Sequence, residues 1–167
     1  MRSLFLTMLP TTALLLPPAA PVERGFTDAA AETTINIVAR IGKLAIPVYG
    51  PGQCNTSSES TIYGVPATQW HGVFDGPDSS DLEHVNVTVW QPKAGGPDQV
   101  TLYLTVAGTT HRISTVKGGE SLGRATASAR RQGTGGTLLV DGTSADGTAI
   151  HLEFICDEFS EIVEGNG

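Results

Sequence analysis

Along much of this chain apolar and polar residues take turns. In QVTLYLTV, Gln99 to Val106, Val100, Leu102, Leu104 and Val106 fall on one side and Thr101, Tyr103 and Thr105 on the other. HVNVTVW does the same with Val85, Val87 and Val89, and TAIHLEFIC with Ile150, Leu152, Phe154 and Cys156 on one side against His151 and Glu153. Successive side chains of a strand point to opposite faces, so this period of two predicts strands buried on one face. Ile35, Ile37, Ala39 and Ile41 lead through Gly42-Lys43 into LAIPVY, a predicted hairpin whose second strand holds Pro47 and therefore belongs at an edge or bulge. STIYGV and TQWHGVF are shorter strand candidates broken by Gly64 and Pro66, HRISTV follows AGTT as another, and TLLVDGTSA pairs with the last strand through Asp146-Gly147. Pro51 to Ser60 and Asp75 to Glu83 read as polar loops. Only ATASARR, Ala125 to Arg131, has helical capacity, and it fits a strand equally well. With no βαβ unit, the expected fold is all-β: an antiparallel β-sandwich or open barrel over residues 34–157 with at most one short helix.

Composition agrees, with 20 Gly and 10 Pro for turns and only 16% charged residues. The N-terminus departs from the strand pattern. Arg2 precedes the apolar Leu4 to Leu16, then PPAAP, which predicts a signal peptide over residues 1–21 and a linker over 22–33. The apolar run is too short for a comfortable membrane span, and no cysteine near it offers a lipid attachment point, so the expectation is a secreted or envelope-associated chain without a stable membrane anchor. In an exported chain Cys54 and Cys156 read most simply as one disulfide, the alternative being two buried thiols. Residues 158–167 are rich in acids and read as a disordered tail. A net charge of −7 makes nucleic acid and anionic membranes poor partners.

Candidate chemistry starts at GGESLGRA, Gly118 to Ala125, where Gly119 to Gly123 spell Gly-x-Ser-x-Gly. With Asp141 and His151 downstream, Ser121 completes the residue order of an α/β-hydrolase triad. That motif works on a strand-to-helix elbow, and the context here is a β-hairpin strand before it and a weak helix former after it. The glycines are expected to serve turns and Ser121 to be solvated.

Other clusters are weaker. Asp75, Asp78, Asp81, Glu83 and His84 match no calcium-loop spacing, and His71, His84, His111 and His151 are scattered, so neither a metal nor another cofactor is expected. Arg112, Lys117, Arg124, Arg130 and Arg131 lie in a stretch whose one acid is Glu120, a possible anion patch or simply a charged outer face. Asn55-Thr56-Ser57 and Asn86-Val87-Thr88 fit the glycosylation sequon. Trp70 and Trp90 are expected to pack in the core or at its edge.

LLVDGTSADGTAIHLEFIC, Leu138 to Cys156, with the preceding GRATASARRQG, is similar to the C-terminal part of the mycobacterial LpqH-type lipoprotein antigens, and IGKLAIPVYGPGQC, Ile41 to Cys54, resembles their first hairpin. The resemblance implies an actinobacterial envelope or secreted β-rich domain, a Cys54 to Cys156 bridge, no catalytic residues, and an envelope or host-surface partner. The chain departs from that family in lacking the acylated cysteine. The expected function is a non-enzymatic exported binding or antigenic domain; the alternatives are a small secreted serine hydrolase using Ser121 and an apolar-ligand carrier.

Overall fold

The computed structural model describes residues 31–78 and 80–162; the expected signal peptide and most of the expected linker lie outside them. Among the described residues every regular element is a strand: β1 (Glu32–Ile41), β2 (Leu44–Ile62), β3 (Val65–Asp75), β4 (Leu82–Pro92), β5 (Gln99–Val106), β6 (Thr109–Ser114), β7 (Arg124–Gln132), β8 (Gly135–Thr143), β9 (Ala149–Cys156) and β10 (Ser160–Glu161). The fold is all-β, and the strands that alternate most cleanly in sequence, β4, β5 and β9, keep their expected buried faces.

Nine strands form one antiparallel path, β6-β5-β4-β3-β2-β1-β9-β8-β7, curled into a nearly closed barrel. Strand parity explains why it does not close. Eight successive antiparallel pairings make the two end strands, β6 and β7, run the same way, so they cannot meet as an antiparallel pair. Their connection, residues 115–123, must instead travel back along the barrel. Within this seam the only isolated bridge among the described residues joins Ser114 to Leu122.

Opposite the seam, β2 is the corner. Its first half pairs with β1, from Leu44 opposite Ile41 to Gln53 opposite Glu32, and its second half pairs with β3 from Gln53 to Ile62. A strand that changes partners in this way joins two layers of a sandwich. Among the described residues its other side has no strand partner before Gln53, and Pro47, which has no N–H to leave unpaired, sits in this edge portion as the sequence predicts. Between the layers Val85, Val87, Leu102 and Leu104 face the core shared with Ile35, Ile37, Leu138, Leu152 and Phe154, all at most 1% exposed. Full burial of each such side chain contributes about 1.5–3 kcal/mol.

Three expectations need correction and one open choice is decided. Pro51 to Ser60 is not a loop: it lies within β2, with Cys54, Asn55, Thr56 and Ser57 all buried. Ala125 to Arg131, which the sequence leaves open between helix and strand, is strand β7, because its small alanines, every second residue, can face the opposite layer. The domain starts at Glu32 rather than Thr34, shortening the linker. The tail is docked as far as Ile162: Phe159 is buried against Trp70, ring centroids 5.1 Å apart and edge-to-face, and Ser160 and Glu161 pair in parallel with Asn55 and Thr56. β1 starts opposite Gln53, so the next residues of β2 would show an unpaired edge, and β10 supplies their partners. Cys54 and Cys156 are disulfide-bonded at this corner, with Cα atoms 6.2 Å apart, fastening β2 to the end of β9.

The hairpin at Asp146-Gly147 is present, with a different turn. Ser144 N–H bonds to the Thr148 carbonyl and Gly147 N–H to the Ser144 carbonyl, giving a three-residue loop with Gly147 at φ 86°.

Candidate functional site

The segment 115–123 is pinned at both ends. Thr115 N–H donates to the Val100 carbonyl, Lys117 N–H to Gln99 Oε1 at 2.7 Å, and Ser114 and Leu122 exchange two backbone bonds. Gly123 has φ 68°, and a Cβ there would lie 2.2 Å from the Thr143 carbonyl oxygen, so only glycine fits where the chain turns into β7. Ser121 is exposed in this connection, with no helix following it. Asp141 and His151 do come together, as opposed residues of β8 and β9 with Nδ1 and Oδ1 2.6 Å apart. Arg40 of β1 lies next in the row, opposite His151. Among the described hydrogen bonds none links Ser121 to either partner.

The basic residues are divided among separate places. Arg112 lies over the Tyr103 ring at 5.0 Å and Arg131 over Trp70 at 5.7 Å, cation–π contacts that bind each guanidinium to its own aromatic neighbour. Lys117 lies beside Gly95, Gly96 and Pro97 of the β4–β5 turn, and Arg130 beside Thr137 and Glu153. Arg124 is exposed at the start of β7. Of the acidic stretch, Asp75 meets His84 at 2.7 Å, and Glu83 accepts the Gly108 N–H at 2.6 Å, so these two acids hold strand ends and the β5–β6 turn. Among the described residues no three His, Cys, Asp or Glu side chains gather in one group. Of the two sequon asparagines, Asn55 is buried and Asn86 Oδ1 lies 3.2 Å from His71 Nε2.

One carboxylate organises the β8–β9 turn. Asp146 accepts bonds from the Ser144 hydroxyl and the Thr148 N–H, and its second oxygen lies 2.9 Å from His111 Nδ1 of β6. The Ser144 hydroxyl first, then the Thr148 N–H, hold this carboxyl far below the usual carboxylate range. Ala145 N–H also bonds to the Arg112 carbonyl. The turn therefore latches the edge of β6 across the seam.

A recess lies outside the barrel beside this seam. Tyr63 and Gly64 form the β2–β3 turn, both with positive φ, at 46° and 79°. Two-residue hairpin turns of this kind favour Asn or Gly, and a bulky residue there is strained. The ring explains why tyrosine is kept. It lies on the Gly118-Gly119 peptide, where a Cβ on Gly119 would come within 2.7 Å of the Tyr63 hydroxyl and one on Gly118 within 3.2 Å of Cγ. Below, Ile62, Ala67 and Val116 form a small second core against which Trp90 packs. Between these walls is a cleft of about 390 Å³, lined by Tyr63, Trp90, Tyr103, Arg112 and Glu120 with the hydroxyls of Thr61, Thr101 and Ser114.

Gly-x-Ser-x-Gly thus contributes a wall: its first glycine, Gly119, and the preceding Gly118 accept a tyrosine ring, and Glu120 lines the cleft. Sequence reasoning missed Trp90 and Tyr63 as cleft residues. Alternation does place Tyr103 outward, but convergence depends on the register that sets Thr88 opposite Thr101 and Thr101 opposite Ser114. No protein-family model, curated protein or solved structure matches this chain.

Proposed function

We propose that this chain is a non-enzymatic, exported binding domain of the cell envelope or its surroundings, of the kind the LpqH-type resemblance implies, and that its ligand sits in the cleft beside the seam. The cleft carries the reading. Its volume lies within the range of small-molecule sites, about 300–1,000 Å³, and it combines aromatic walls with a few polar groups. The buried Cys54–Cys156 bridge supports an oxidising, extracytoplasmic setting. The barrel interior is filled by side chains such as Phe154, Leu102 and Ile37, which favours a ligand held outside over an apolar molecule carried within.

The test uses the disulfide-bonded protein and the indole N–H signals of its two tryptophans. Trp70 donates its N–H to Gln91 Oε1 at 2.7 Å inside the barrel and serves as the internal reference. A water-soluble extract of the host envelope is expected to move the Trp90 indole signal and leave that of Trp70 in place; an unmoved Trp90 signal contradicts the reading. Intact mass of the protein recovered from the host, before and after reduction, tests export and pairing together: loss of the leader and a gain of two hydrogens are expected.

A second reading, a secreted hydrolase, draws on the close Asp141–His151 pair. It requires turnover of a nitrophenyl ester that Ser121→Ala abolishes.

A further inference from the structure

We infer that the ligand of the seam cleft is an uncharged saccharide, bound through one sugar ring laid against an aromatic side chain. This rests on the binding reading above and names its ligand class.

The first ground is shape and polarity together. A pyranose ring presents a patch of C–H groups on its face and hydroxyls around its rim. It therefore needs a flat apolar surface surrounded by hydrogen-bonding groups. Trp90, Tyr63 and Tyr103 supply rings, and the hydroxyls of Thr61, Thr101 and Ser114 supply donors and acceptors around them. Among the described hydrogen bonds none engages these three hydroxyls or the Trp90 indole N–H, so they are available to a ligand without breaking a protein bond.

Charge is the second ground. The ionised groups lining the cleft are Arg112 and Glu120, one of each sign. Arg112 is already committed to Tyr103, over its ring and 3.5 Å from its hydroxyl. An anion would gain one guanidinium and meet one carboxylate at short range, so no net attraction is built in. An uncharged polyol uses both: the guanidinium donates and the carboxylate accepts, each as a charge-assisted bond stronger than a neutral one. A lipid chain would gain from the rings and leave the five polar side chains facing hydrocarbon, at the cost of burying unsatisfied polar groups.

Backbone strain is the third. Tyr63 holds a conformation that tyrosine disfavours, and Gly118 and Gly119 leave room for its ring. Such strain persists only where the surroundings enforce it, and it clusters at sites of function. The β5–β6 turn has the same geometry, with Ala107 at φ 46°, but no ring is held there. At Tyr63 the conformation has a product, a ring laid against the Gly118-Gly119 peptide as one wall of the cleft.

The test is a titration of the labelled, disulfide-bonded protein with a panel of neutral disaccharides (cellobiose, maltose, mannobiose, galactobiose and diacetylchitobiose). Soluble neutral polysaccharides form a second arm, and galacturonic acid and inorganic sulfate are the charged controls. At least one neutral sugar is expected to shift the Trp90 indole signal and not that of Trp70. A response to polymer but not to disaccharide identifies the source as an envelope polysaccharide, and both responses support the inference. Tyr103→Ala, at a 37% exposed position, is expected to weaken binding roughly tenfold, as loss of one aromatic contact does. Trp90→Phe, which removes the reporter signal and is therefore followed by calorimetry, should retain part of the affinity. Silence of both neutral arms, or a response to the charged controls alone, overturns the saccharide inference. If the envelope extract still moves Trp90, the binding reading survives that failure; if the extract is silent too, both fall.

Discussion

The two sides of this barrel are closed by different means. At the β2 corner, β2 pairs with β1 in an unbroken ladder and with β3 in one interrupted only between Ser57 and Ser60, β10 covers the edge that β1 leaves, and a disulfide joins β2 to β9. At the seam, β6 and β7 run the same way and share no ladder; the Ser114–Leu122 bridge, the Ala145 bond to Arg112 and the His111–Asp146 contact are what hold β6 there. An odd number of antiparallel strands must leave one such mismatch. Here the returning segment that crosses it also builds the cleft wall. The irregular closure and the cleft beside it therefore share one origin in strand parity.

The comparison can be broken most strongly from the corner. Replacing both Cys54 and Cys156 by Ala should cost about 4–5 kcal/mol, since the bridge spans a separation of 102 residues. Urea denaturation of the oxidised protein and the variant measures this, and a loss below about 1 kcal/mol would show that the bridge is incidental to the corner. Phe159→Ala removes the tail's anchor on Trp70 and should cost about 3 kcal/mol. Amides of Ile162 and Thr56 should then exchange faster while those of β5 do not change.

At the seam the corresponding probe is Gly123→Ala. The added Cβ meets the Thr143 carbonyl in a left-handed conformation, and a cost of about 2 kcal/mol is expected. The loss should show mainly as local opening of residues 115–123. A loss spread evenly over β1 and β9 would mean that the two sides are one cooperative unit.

The smallest effect is a pH dependence on the corner side of the fold. Burial first, offset in part by the bond to Asn86, holds His71 below its ordinary value of 6.5. Its neutral form is favoured when folded, so its contribution is full above 6.5 and is lost as pH falls through the lower folded value. A titration of the His71 ring by NMR should show a midpoint below 6.5, and His71→Gln should remove that part of the acid sensitivity.

How much of this was legible depends on whether a segment has one wet face. β4, β5 and β9 do, and their alternation reveals both the strand and its inward side. The second half of β2 does not. Asn55, Thr56 and Ser57 are buried beneath neighbouring strands and the tail, with Thr56 Oγ1 donating to the Gln69 carbonyl at 2.9 Å. Buried polar residues carry no hydrophobic period, so the stretch reads as a loop. β10 spans two residues, too few for any pattern, and Phe159 alone marked its docking. Asp141 and His151 were placed on the two strands of one hairpin, but that they oppose each other depends on the turn length, which a three-residue loop sets. The cleft depends on Trp90 and Tyr103 of the paired strands β4 and β5 and Tyr63 of the β2–β3 turn meeting one glycine-rich segment, and no local pattern records that meeting.

Native-state hydrogen exchange resolved by residue tests the central claim most directly. Amides in the β1–β9 and β1–β2 ladders are expected to exchange only through global unfolding, while Ser114 and Leu122 exchange through an opening of clearly lower free energy. Equal protection on both sides, with the seam opening only when the whole barrel unfolds, would contradict the account.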